Sequence, residues 1–308
     1  MLKRVMFLVA LAAVGVHPHA QAQEIPRTAD GRPDFQGVWE SRWRTPLERP
    51  PEAEGPIVTP EKAEAFVAAM EARFFKESLN PASDFDWGPL MPAPDGGFRT
   101  SLIVEPPDGK QPLTAAAQEW AKTFKNERDR AEGPEARNLW ERCIRGPGSA
   151  PLSITPGNMN RLFVQTKNHL VINTEDMGET RIIEFAAQRR PAALVSFMGE
   201  SNGRWDGDVL VVETGLLRPD PASPPQSDRR GERKITEKLQ FNSPDELSYS
   251  FVLDDPGQLA APMHVEFTLV RSSSRMYEAS CHEGNYSMVG ILQGARVNEA
   301  RAANAGKP

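Results

Sequence analysis

The chain has 308 residues, a formal net charge of −6 and a sequence pI near 5.6. That balance leaves no basic footprint for nucleic acid or for an anionic membrane surface. The length suits one large or two small domains. The 28 prolines exceed average usage and cluster before residue 160 and around Arg218–Pro225, where extended or looped chain is expected.

The first residues read as a secretory signal. Lys3 and Arg4 precede an apolar run from Val5 to Val16 that is too short to span a bilayer. Ala20-Gln21-Ala22 supplies the small residues of a cleavage site, so residues 1–22 are set apart from the fold. Nothing later approaches a spanning apolar run, and the mature chain is expected in the periplasm or outside the cell.

Residues 23–157 read as a first strand followed by a proline-rich, helix-bearing cap. Thr28 to Asp34 is turn chemistry. Phe35 to Ser41 has strand character, with Trp39 packing inward and Gly37 permitting close approach of another backbone. Thr59 caps a helix from Pro60 to about Lys76, with Ala63, Phe66, Val67, Met70 and Phe74 at helical spacing. Asn80 to Gly97 is an irregular loop. Thr100 to Glu105 is a short strand leading into the turn Pro106–Gly109. Thr114 caps a second helix carrying Trp120, Ala121 and Phe124, and Gly133-Pro134 interrupts the run before Leu139 and Trp140.

From Asn158 short strands recur: Leu162–Thr166, Leu170–Asn173, Thr180–Phe185, Leu194–Met198, Val209–Thr214, Ile235–Phe241, Leu247–Leu253, Val265–Val270 and Met276–Cys281. Asp206-Gly207-Asp208 and Ser243 to Glu246 are hairpin turns. The expected fold is mainly β: an antiparallel meander closed into a lipocalin-like β-barrel, because closure removes exposed edges. Residues 158–292 form the barrel in this reading, the strand ending at Cys281 closes it, and residues 293–308 are a flexible tail.

Cys143 and Cys281 are the two cysteines. In an oxidising compartment such a pair is read as a disulfide. The competing reading, a Cys281 nucleophile activated by His282, needs both side chains within hydrogen-bond reach. Adjacent strand residues instead point to opposite faces.

Several segments together resemble one family of secreted bacterial proteins without a settled activity. They are Asp30 to Asp34 with Gly37-Val38-Trp39, Ser101 to Gly109, Glu141-Arg142-Cys143, Gly199 to Asp208 with Val209 to Thr214, and Cys281 to Tyr286. The resemblance implies export and a disulfide-compatible cysteine pair. Gly37-Val38-Trp39 is also similar to the Gly-x-Trp start of lipocalin-like barrels, although the long insertion between Trp39 and Asn158 departs from that pattern.

The expected site lies in and around the barrel mouth. Trp39, Glu200, Arg204, Trp205, His264, Asn285 and Tyr286 are candidate ligand-binding residues. His282, Glu283 and Glu266 are candidate acid–base groups. The histidines that follow the signal, His169, His264 and His282, lack His-x-x-x-His or His-x-His spacing, and no metal is expected. No cofactor is expected either, since there is no P-loop, dinucleotide fingerprint or Gly-x-Ser-x-Gly elbow. The leading expectation is an exported barrel that binds a small, largely apolar ligand. The alternatives are a cofactor-independent lyase or isomerase and an interaction protein of the envelope.

Overall fold

A computed structural model describes residues 24–77, 88–137, 139, 141–144, 149–152, 159–175, 178–185, 191, 194–218 and 232–305. The signal reading of residues 1–22 and the readings of Trp140 and of much of the 80–97 and 218–225 loops lie outside these residues.

The strands of the barrel are β1 (Gly37–Ser41), β5 (Met159–Gln165), β6 (His169–Thr174), β7 (Thr180–Phe185), β8 (Glu200–Asp206), β9 (Val209–Gly215), β10 (Lys234–Ser243), β11 (Glu246–Asp254) and β12 (Met263–Arg271). Among the described residues these nine pair in the order β1-β5-β6-β7-β8-β9-β10-β11-β12, and β12 returns to β1 to close the barrel. Several strands alternate a buried and a more open position. β10, for example, turns Ile235, Glu237, Leu239 and Phe241 inward. The Asp206-Gly207 turn, with Gly207 at φ +58°, joins β8 to β9 as read from the sequence.

The closing strand differs from the expectation. β12 pairs with β11 along one edge. Its other edge is shared by β1, through Trp39↔Arg271, and by β4 (Ile103–Glu105), through Val265↔Ile103. No edge of β12 is left for the strand expected at Met276–Cys281, and residues 276–280 run as irregular chain. A four-residue helix α3 (Cys281–Gly284) and the long helix α4 (Tyr286–Ala305) follow. Of the region expected to be a flexible tail, residues 293–305 belong to α4. Asn285 starts that helix, its Oδ1 accepting from the Met288 amide at 3.2 Å.

A second difference decides where the site lies. The meander is not wholly antiparallel: β7 and β8 run parallel, with three paired positions, Ile183↔Ser201, Glu184↔Asn202 and Phe185↔Gly203. Leu194 to Met198 is not a strand. It contributes one bridge, Ser196↔Leu217, because the chain approaches β8 from the β9 side. The Ser196 amide donates to Leu216 O at 3.1 Å, and the Gly199 amide donates to Ser196 O at 3.2 Å. Gly199 has φ +69°, and a Cβ there would lie 2.6 Å from Gly215 O, so the turn into β8 requires glycine.

The two helices expected between Trp39 and Asn158 are present. α1 (Pro60–Glu77) packs Phe66 and Met70, with Ala63 and Val67, on the ribbon of β2 (Ile57–Val58) and β3 (Phe98–Arg99). α2 (Ala115–Arg130) is capped by Thr114, whose Oγ1 accepts from the Ala117 amide at 3.2 Å. Among the described residues no helix is long and apolar enough to cross a membrane.

Cys143 and Cys281 are disulfide-bonded. The bond lies outside the barrel strands and ties residues 141–144 to α3. Asn285 Nδ2 reinforces the link by donating to Glu141 O at 3.0 Å. Further along α4, Arg296 donates to the carbonyls of Glu132 at 3.0 Å and Ala131 at 3.1 Å.

Candidate functional site: a cleft at the parallel seam

Because β8 is approached from the β9 side, Thr180–Ile182 of β7 have β6 on one flank and no paired strand on the other. The space left is a cleft of about 230 Å³. Its lining residues are apolar Ile182 and Met198, the hydroxyl residues Thr180, Ser196 and Ser201, and the acids Glu184 and Glu200. Arg181 contributes to its inner wall.

Inside the barrel, Arg181 is 1% exposed and spans the seam. Its Nε donates to Ser201 Oγ on β8 at 3.0 Å, one terminal nitrogen donates to Thr214 Oγ1 on β9 at 2.8 Å, and the guanidinium grips both Glu237 oxygens on β10. Tyr249 on β11 donates to Glu237 Oε1 at 2.6 Å and accepts from the Leu152 amide at 2.8 Å. One network thus joins five consecutive strands and pins residues 149–152, which pack into the main core through Ala150 and Leu152.

Burial opposes charge on Arg181, but the field and hydrogen bonds of Glu237 outweigh it and its pKa is raised. Burial, reinforced by Glu237, pushes the Tyr249 phenol well above its ordinary value, with Arg181 opposing. Arg161, wholly buried on β5, is pushed down to about 10 by desolvation, and Tyr249 offsets part of the shift.

The other part of the interior is filled by rings. Phe35 stacks on Trp205 with centroids 5.6 Å apart and meets Phe241 at 5.2 Å. Trp39 is fully buried and donates from Nε1 to Phe35 O at 2.8 Å. The Arg271 guanidinium lies 4.4 Å from the Trp39 ring. A Cβ on Gly37, at φ +132°, would collide with that guanidinium. The Gly-x-Trp pair therefore makes room for an arginine side chain, where the sequence reading expected a backbone.

The residues singled out from the sequence do not converge. Trp39 and Trp205 are interior packing residues, while Arg204 is exposed on the outer face of β8. Glu200 lines the cleft, and its Oε1 accepts from Asn202 Nδ2 at 2.9 Å. His264 and Glu266 share the outer face of β12, with Nε2 and Oε1 3.4 Å apart, and Arg99 lies 3.5 Å from the second Glu266 oxygen. His282 and Glu283 are exposed on α3. They lie after a segment that is not a strand, and neither forms a hydrogen bond or ion pair with Glu266 or His264 among the described residues. Asn285 caps α4, and Tyr286 is 81% exposed. Among the described residues no three His, Cys, Asp or Glu side chains gather as a metal site would need.

The sequence reading missed Arg161, Arg181, Glu237 and Tyr249. The signal was present as charged or phenolic residues in the inward phase of alternating strands, as in Ile235-x-Glu237-x-Leu239 and Arg181-x-Ile183.

The fold and cleft define a class: a closed mixed barrel with a side opening at the parallel step between β7 and β8. No protein-family model, no curated protein and no solved structure matches the chain.

Proposed function

We propose that the protein is an exported small-molecule-binding barrel whose ligand sits in the cleft between β7 and β8. The observation that carries this reading is the pairing of a 230 Å³ cleft with a rigid inner wall: Arg181 and Ser201 line it and belong to the buried network. Pre-organised polar groups beside apolar walls are what a small-molecule site needs. Export is supported by the N-terminal signal pattern and fits the disulfide.

The test is native mass spectrometry of protein purified from the periplasm of its own host, together with Ser196→Trp, which fills the cleft from an exposed position. A small-molecule adduct on the parent that disappears in a variant of unchanged melting temperature is the expected result. An adduct that persists in Ser196→Trp places the ligand elsewhere, and no adduct on either protein overturns the reading.

A further inference from the structure

β7 carries an unsatisfied edge where it borders the cleft. The Phe185 amide donates to Asn168 O and Glu179 O accepts from the Thr174 amide, both at 2.8 Å. The odd-numbered residues over 179–185 therefore turn their backbone groups to β6. Thr180 and Ile182, in the alternate phase, turn theirs to the seam. The ladder to β8 begins only at Ile183↔Ser201. Among the described residues the Thr180 N–H, the Thr180 C=O and the Ile182 N–H thus meet no backbone partner. The opposite wall does not supply one. The Ser196 amide donates to Leu216 O, and Ser196 O accepts from the Gly199 and Arg218 amides. Two donors and an acceptor therefore line one side of the cleft in the spacing of a strand. Beneath them the floor is closed, because Arg181 Nε reaches Ser201 Oγ across the seam at 3.0 Å and both side chains are buried.

We propose that the ligand of this cleft is a short extended peptide, which adds to β7 as a parallel strand and continues the ladder where β8 leaves it. The inference rests on the cleft being the binding site. Unpaired main-chain groups at a strand edge are complementary to another main chain. The peptide residue opposite Arg181 donates its N–H to Thr180 O and accepts the Ile182 N–H at its own C=O. The carbonyl two positions earlier accepts the Thr180 N–H. Residues paired in a sheet share a face, so the residue opposite Arg181 points at the closed floor, and only glycine or alanine fits there. Its two neighbours point outward beside Thr180 and Ile182, which are both exposed, and an apolar β-branched side chain packs on Ile182. The open edge, Thr180 to Ile182, is roughly 10 Å long, whereas an ordinary strand runs over about five or six residues. That length and the cleft volume of about 230 Å³ select a peptide of about three residues over the strand of a folded partner.

The test is calorimetric titration of the full mature protein with acetyl-Val-Gly-Val-amide, whose blocked ends carry no charge. Binding is expected, and Ser196→Trp is expected to abolish it at unchanged melting temperature. Replacing the central glycine by alanine should change affinity by less than about threefold. Replacing it by sarcosine, which matches alanine in size but lacks the N–H, should weaken binding about tenfold or more. The phenylalanine-centred peptide is expected not to bind. Equal binding of the sarcosine or the phenylalanine peptide overturns strand addition, as does binding that survives Ser196→Trp. Failure of every peptide overturns the proposal and leaves the cleft reading standing where an adduct from the native host is still lost in Ser196→Trp; without such an adduct both fall. Sedimentation showing a parent dimer that Ser196→Trp dissociates means that a strand of a second copy occupies the seam, and overturns the proposal.

Discussion

Around Trp205 the barrel interior is filled by rings; at Ser201, four positions back on the same strand and roughly 13 Å away, it is filled by a guanidinium, a carboxylate and a phenol. The rings lie where β8 and β9 are joined by a tight hairpin and the ladder is continuous. The polar network lies where β7 and β8 share three positions. At the first place backbone pairing holds the wall and the side chains need only fill space. At the second the wall has a gap, and Arg181 crosses it from inside to reach β8, β9 and β10. The polar core thus supplies at the seam the connection that the backbone lacks, and the same gap provides the cleft.

The largest expected effect tests that division. Arg181→Met should cost about 3–5 kcal/mol in urea unfolding, because Glu237 is left buried without its counter-charge. Arg181→Met/Glu237→Leu should recover much of the loss, since a buried pair is often replaceable by apolar groups of similar volume. Phe163→Ala, at the ring-filled end, should also cost about 3–5 kcal/mol, through the cavity it leaves. A loss under about 1 kcal/mol for Arg181→Met would mean that the network does not hold the seam.

Tyr249→Phe should cost about 1.5–3 kcal/mol near neutral pH, the range for a hydrogen bond to a charged group. Its pH dependence has a definite sign. The folded phenol has its pKa raised above the unfolded value near 10, so its contribution is fully present below pH 10. Above that the unfolded state sheds a proton that the folded state keeps, and stability falls. The gap between parent and Tyr249→Phe should therefore narrow as pH rises through 10. Arg161, pushed down to about 10, gives the opposite slope, but it does so in both proteins. Parallel stability curves across that window would contradict the assignment.

Reducing the Cys143–Cys281 bond should affect the periphery and leave the barrel folded, since neither cysteine lies in a barrel strand. The barrel midpoint should move by less than about 2 kcal/mol, the low end for loss of a native bridge. Amides of α4 should lose exchange protection while those of β9 keep it. Simultaneous loss in both would show that the C-terminal helices and the barrel unfold as one unit. The smallest effect is expected at His282→Ala. An exposed residue on α3 should leave stability within about ±0.5 kcal/mol and ligand retention unchanged. A loss of binding in that variant at unchanged stability would return the site to the C-terminal segment.

Much of this molecule follows from local pattern. Alternation marks β5 to β7 and β9 to β12, Asp206-Gly207 marks a hairpin, and Thr59 and Thr114 mark the two cap helices. For α4 the sequence reading missed a signal that was present: Met288, Ile291, Leu292 and Ala295 recur at helical spacing after Asn285, in an alanine-rich stretch. Pattern also placed Glu237 and Arg181 in the inward phase, although it did not say that they meet. The tertiary structure alone decided which strand lies beside which. Whether Leu194–Met198 becomes a strand depends on whether an edge is open to it, and it finds one bridge, at Leu217 just past the end of β9. Whether Met276–Cys281 closes the barrel depends on an edge that β1 and β4 already occupy. A period of two fixes the face a side chain takes but carries no information about the neighbouring strand. The parallel seam, the cleft it leaves and the arginine that spans it arise from chain crossings between segments distant in sequence.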